Sequence, residues 1–144
     1  PGAEHWPSFD RNNSGQFESR TVRVKVSGNS SPWLEGLSGC VVPVAVAHGE
    51  GRVELGDLAG AVELESLVAM RYVGPSDEPT EDYPYNPNGS LGGIAAITAA
   101  SGSMLAMMPH PERTFRSSQL IVSDPDWKGY SPWMQFFRNA RRLI

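Results

Sequence analysis

The apolar run Met104-Leu-Ala-Met-Met108 stops abruptly at Pro109-His110-Pro111-Glu112. The run reads as a short buried strand. Prolines 109 and 111 carry no N–H donor and fix φ, so no sheet ladder continues through them and His110 is held between two rigid residues. Glu112 lies two residues on, close enough in a turn to orient the imidazole. A histidine fixed at a strand end beside a carboxylate has the layout of a general base with its orienting partner. Such a base acts on a nucleophile supplied elsewhere in the fold.

Upstream, residues 1–20 are polar and turn-rich, with Asn12-Asn13-Ser14-Gly15 as a turn signal. Thr21-Val-Arg-Val-Lys-Val26 alternates with period two and predicts a strand, its basic residues Arg23 and Lys25 on the solvated face. Ser31-Pro32-Trp33-Leu34 opens a short helical turn. Cys40–Ala47 is nearly all apolar and predicts a strand buried on both faces, with Pro43 pointing to an edge or a bulge.

That strand runs into His48-Gly49-Glu50-Gly51-Arg52. The pentapeptide fits a polar turn after a core strand. It also fits a small-zwitterion site, because flanking glycines let backbone approach a ligand closely. His48, Glu50 and His110 match no compact metal-ligand spacing, and His5 reads as a surface residue.

Further on, Asp57–Leu67 reads as a short amphipathic helix capped by Asp57, and Val68–Val73 as a strand ended by Gly74-Pro75. Ser76–Gly93, rich in proline and asparagine, reads as a rigid loop. Gly93–Thr98 and Met104–Met108 form a hairpin. Ser131-Pro132 starts a last helix whose apolar face holds Trp133, Met134, Phe137, Ala140 and Ile144, with Arg138, Arg141 and Arg142 solvated.

Composition narrows the function classes. A chain of 144 residues fits one domain with a real core, and 40% hydrophobic with 19% charged residues is ordinary for a globular protein. A net charge of -4 and a pI near 5.3 argue against nucleic acid or a membrane surface as the main partner. No apolar run approaches the roughly 18 residues of a spanning helix. No signal peptide is visible and there is one cysteine, so the expected location is cytoplasmic, with no disulfide framework. The first residues, Pro-Gly-Ala-Glu-His, are those expected of a piece of a longer polypeptide.

Three segments occur in the order seen in one family: Ala47-His48-Gly49-Glu50-Gly51-Arg52; Tyr83-Pro84 through Asn86-Pro87-Asn88-Gly89-Ser90; and Met107-Met108-Pro109-His110-Pro111-Glu112-Arg113. Together they resemble the C-terminal glutaminase domain of the phosphoribosylformylglycinamidine synthase family, a class I (triad-type) glutamine amidotransferase. The tail Pro132–Arg141 is similar to the close of the large single-chain form, so the resemblance covers the whole chain. It implies an α/β, flavodoxin-like domain with a mixed or parallel central sheet, of which residues 1–144 would be a single partial domain, strand- and hairpin-rich. It also implies His110 as triad base, Glu112 as its orienting partner, and His48 and Glu50 beside the glutamine. Ammonia would pass to a synthase domain of the same polypeptide. That domain would use ATP and magnesium to convert formylglycinamide ribonucleotide into its amidine in purine biosynthesis.

The family's nucleophilic cysteine sits on a Gly-rich turn upstream of the His and Glu. Cys40, the only cysteine, lies in an apolar run without that pattern and reads as a buried hydrophobe. The thiol is therefore expected upstream of residue 1, and this segment alone is expected to be inactive and poorly soluble. Two other readings stand beside this one. One is a non-catalytic amidotransferase-like module with a docking or structural role. The other is an unrelated enzyme using Ser101 or Ser103, neither of which has a nucleophile-elbow context.

Overall fold

The computed structural model describes residues 7–28, 31–55, 62–98, 102–121 and 123–144. The described strands are β1 (Ser8–Arg11), β2 (Glu18–Val26), β3 (Val41–His48), β4 (Glu50–Glu54), β5 (Val68–Tyr72), β6 (Ile94–Thr98) and β7 (Leu105–Met107). The described helices are α1 (Val62–Leu67) and α2 (Trp133–Arg142), so the expected strand-rich α/β domain is what forms. Five strands make one sheet in the order β3-β2-β5-β6-β7, and β1 pairs with β4 in a separate ribbon. Every described pairing is antiparallel, so the mixed or parallel central sheet expected from the resemblance is not what the described residues form. The consecutive neighbours β2–β3, β5–β6 and β6–β7 are joined without the helical crossovers that parallel pairing needs. No described helix is long and apolar enough to cross a membrane.

The alternation read in Thr21–Val26 decides how β2 faces the core. Val22, Val24 and Val26 point inward; Val22 faces Val44 and Val24 faces Val42 of β3 across the ladder, and Val46 joins the same cluster. Trp133, fully buried, closes over them. A second cluster gathers Val53, Leu55, Leu64, Val68, Ile94 and Ile97. β5 lies between the clusters, sending Val68 to one and Ala69 to the other. The outer basic residues are not simply solvated: Arg23 pairs with Asp77, and Lys25 with Glu78 at 3.5 Å.

Two expected burial patterns change because of where strands sit in the sheet. β3 is an edge strand, as Pro43 indicated, and is covered on one face only. Val42, Val44, Val46 and His48 are buried while the residues between them are half-buried. β7 is the opposite edge, so Leu105, Ala106 and Met107 are half-buried rather than core.

The two edges come together. The chain leaves β7 at Met107, and three residues later His110 bridges Ala45 of β3. Three residues span about 10 Å, and a bridge adds about 5 Å. Four steps across a flat sheet would need about 19 Å. The sheet is therefore curled, and the Pro109–Pro111 turn joins its edges.

α2 begins as its Ser-Pro start predicts. Ser131 Oγ accepts from the Trp133 amide at 3.3 Å and donates to the Thr114 carbonyl at 2.6 Å. The Trp133 indole N–H donates to the Pro43 carbonyl at 2.7 Å, tying the helix to the β3 edge. Asn139, buried, donates to the carbonyls of Trp33 and Glu35 on the short turn at Pro32–Leu34. Ile144, expected on the apolar face, lies past the helix end and is exposed. Asp57 and His5 lie outside the described residues.

Candidate active site

His110 is placed by main chain before its side chain does anything. Its N–H donates to the Ala45 carbonyl at 2.8 Å, and Pro109 and Pro111 on either side are buried. A single 3-10 turn, Pro111–Arg113, then folds Glu112 back. His110 Nδ1 and Glu112 Oε1 are 2.8 Å apart, with the two side chains 28% and 53% exposed. A carboxylate only accepts, so Nδ1 carries a proton, and in the neutral ring the lone pair is on Nε2. The pair is exposed enough that its Coulombic gain is modest, and its effect is to orient the ring. Arg113 Nε stands 3.5 Å from the same Glu112 oxygen.

His48 ends β3, three residues beyond Ala45, and so reaches the same place from the opposite edge. The two imidazole rings are 6.3 Å apart, inclined at 44°. His48 is buried, and burial pushes its pKa below 6.5, helped by the neighbouring His110. Backbone carbonyls of Glu50 and of His48 itself, and the Glu18 carboxylate, pull weakly the other way. Glu50 is exposed at the start of β4, so main chain rather than side chain faces the imidazole.

The glycines around Glu50 differ in purpose. At Gly51, with φ of 140°, an added Cβ would stand 2.7 Å from His48 Cε1 and 3.0 Å from Asn88 Nδ2. Gly49 meets nothing within 4 Å. The segment from Glu50 is also strand rather than turn: β4 pairs with β1, which lies in the stretch read as polar and turn-rich.

The residues that sequence reasoning missed are polar and buried. Asn12, Asn86, Asn88 and Ser90 are all 3% exposed or less. Asn86 Oδ1 accepts from the amides of Gly89 and Ser90 at 3.0 and 3.2 Å, and Ser90 Oγ accepts from the Val53 amide at 3.0 Å. These bonds make Ser76–Gly93 the rigid loop its composition predicts and bring Asn88 against His48. The available signal was asparagine recurring among prolines with apolar flanks, which a satisfied buried amide explains better than a solvated turn.

Cys40 does not join the site. It immediately precedes β3, five extended residues from Ala45 and about 16 Å away. His48 extends from Ala45 in the other direction, and the His110 ring lies on the His48 side. Cys40 is half-buried against the core. Ser103 sits at the far end of β7, where its carbonyl accepts the Trp33 indole at 2.9 Å. Ser101 is outside the described residues. Among the described residues no group of three His, Cys, Asp or Glu is arranged to hold a metal ion.

A family model for the CobB/CobQ-like glutamine amidotransferase domain matches residues 1–144. Among solved structures, the chain is similar to PurLQS from Thermotoga maritima, with 25% identity and a TM-score of 0.68. The match covers 96% of this chain and 53% of that one, so this chain spans about half of its length.

Proposed function

Because the chain belongs to the CobB/CobQ-like glutamine amidotransferase family, we propose that His110 and Glu112 are two members of a Cys-His-Glu triad that releases ammonia from glutamine. The observation that carries this reading is the Nδ1–Oε1 contact of 2.8 Å inside the proline-bracketed turn. Nε2 of His110 takes the proton of a thiol as it attacks the glutamine side-chain carbonyl. The proton is then given to the departing amine, and ammonia leaves with a thioester behind. Nε2 next takes a proton from the water that attacks the thioester, and glutamate is released as the thiol is restored. Glu112 holds the ring in the required tautomer and stabilises the imidazolium at each step.

The thiol is assigned to another segment of the parent protein, since Cys40 and His110 stand apart. The likeness to PurLQS and the three ordered motifs support a more specific reading. In it, the chain is the partial glutaminase domain of a cytoplasmic phosphoribosylformylglycinamidine synthase. Its ammonia feeds a synthase domain of the same polypeptide that uses ATP and magnesium to make formylglycinamidine ribonucleotide.

The test uses the full parent protein. His110→Ala abolishes glutamine-dependent turnover and spares turnover supplied with ammonium salt. Equal loss of both activities would make His110 a structural residue and leave the chain a non-catalytic docking module.

A further inference from the structure

A buried hydrogen-bond chain runs from β5 through the 86–90 loop to the end of β3, and its directions can be assigned from backbone atoms alone. Asn12 Nδ2 donates to two carbonyls, of Gln16 at 2.9 Å and His48 at 2.8 Å. Carbonyls cannot donate, so the Asn12 amide has one orientation and its Oδ1 is an acceptor. That oxygen is 2.7 Å from Asn88 Nδ2. Asn88 Oδ1 in turn accepts the Tyr72 hydroxyl at 2.6 Å. Burial raises the Tyr72 pKa, so the phenol keeps its proton. The second N–H of Asn88 faces His48 Nδ1 at 3.2 Å, and only an unprotonated Nδ1 can accept it.

We infer that Asn88 is a positioning residue for the His110 site: held by Asn12 and Tyr72, it fixes His48 as the uncharged tautomer with its proton on Nε2. The inference rests on the glutaminase reading above. His48 Nε2 is buried and has no hydrogen-bond partner among the described residues. Opening Nδ1 to protonation would put a cation about 6 Å from the base. At an effective permittivity near 20, such a charge lowers a neighbouring ionisation by roughly two pH units. Among the described residues, the charged groups acting on His48 are Glu18, its cross-strand partner, which is paired with Arg20, and His110, which is paired with Glu112. Gly51 leaves the space in which the His48–Asn88 contact forms.

The test measures glutamine hydrolysis against pH in the parent enzyme. Asn88→Asp keeps the size of the side chain but turns the donor facing Nδ1 into an acceptor, so the ring holds a second proton. The acid limb of kcat/KM, which reports His110, then moves to lower pH by roughly one unit, less than for a bare charge because the new carboxylate offsets part of it. In a His48→Gln background, where nothing at position 48 titrates, the same substitution gives no downward shift, since the carboxylate alone acts in the opposite sense. A limb that stays put in Asn88→Asp, with activity merely reduced, or a shift that persists with His48→Gln, overturns the inference. If Asn88→Asp does not fold, Asn88→Ser frees Nδ1 in the same sense, and an unmoved limb there overturns it equally. If wild-type enzyme hydrolyses no glutamine, it is the glutaminase reading that fails. Normal hydrolysis lost in His110→Ala, with no Asn88 effect on the limb, removes this inference alone.

Discussion

The main-chain N–H of His110 donates to the carbonyl of Ala45 at 2.8 Å, and this bond carries the candidate base from the end of one edge strand onto the other. His48, three residues along from Ala45, is thereby its neighbour. The site exists because the sheet curls.

Glu112 should matter through orientation more than charge, since its side chain is 53% exposed. In the parent enzyme, Glu112→Gln should lower glutamine-dependent kcat by about 100-fold, within the range for a lost acid–base arrangement. Ammonia-dependent turnover should be unchanged. Steady-state assays with each nitrogen source check this, and a parallel loss in both would point to damage beyond the triad.

His48 should make stability fall in acid. Its pKa is lowered from 6.5 in the fold, first by burial and then by His110. Below that value the unfolded chain binds the proton more readily than the folded one. The contribution of His48 is thus complete above about pH 6.5 and is lost as pH drops beneath it. Thermal unfolding of the parent protein at about pH 7.5 and about pH 5 should show the loss. His48→Gln should show less of it, and an identical loss in that variant would place the titration elsewhere.

Gly51 combines positive φ with a close approach. Gly51→Ala forces a side chain into a backbone region costing about 1–3 kcal/mol and presses Cβ against His48 and Asn88. We expect a stability loss of about 2–4 kcal/mol by urea unfolding, with the KM for glutamine raised about tenfold as the His48 ring is displaced. Gly49→Ala, which meets open space, should change neither by more than a fraction of that.

Much of this was legible in the chain, for local reasons. The period-two valines of β2, the β6–β7 hairpin and the Pro-His-Pro-Glu turn are each written within a few residues. The pairing of β1 with β4 was not, because neither is apolar or β-branched throughout and each is a strand only because the other is there. The half-burial of β7 and β3 depends on which strands end the sheet, a property of topology rather than of either run. The Asn12–Asn88–His48 contacts join residues 76 and 40 positions apart. Single asparagines read as turn formers carry no trace of such partners. Cys40 was set aside on its apolar context, and its position just before β3, on the side of Ala45 away from His48, adds a geometric argument.

The indole of Trp133 on the Pro43 carbonyl, a contact ninety positions apart in sequence, lies beside the bond that seats His110. Contacts this remote require long loops to close, at an entropic cost that local contacts do not bear. A nascent or half-folded chain thus carries the histidine and the glutamate without an address for either. The base is therefore a property of the assembled sheet, since no short stretch around His110 supplies the Ala45 carbonyl that seats it.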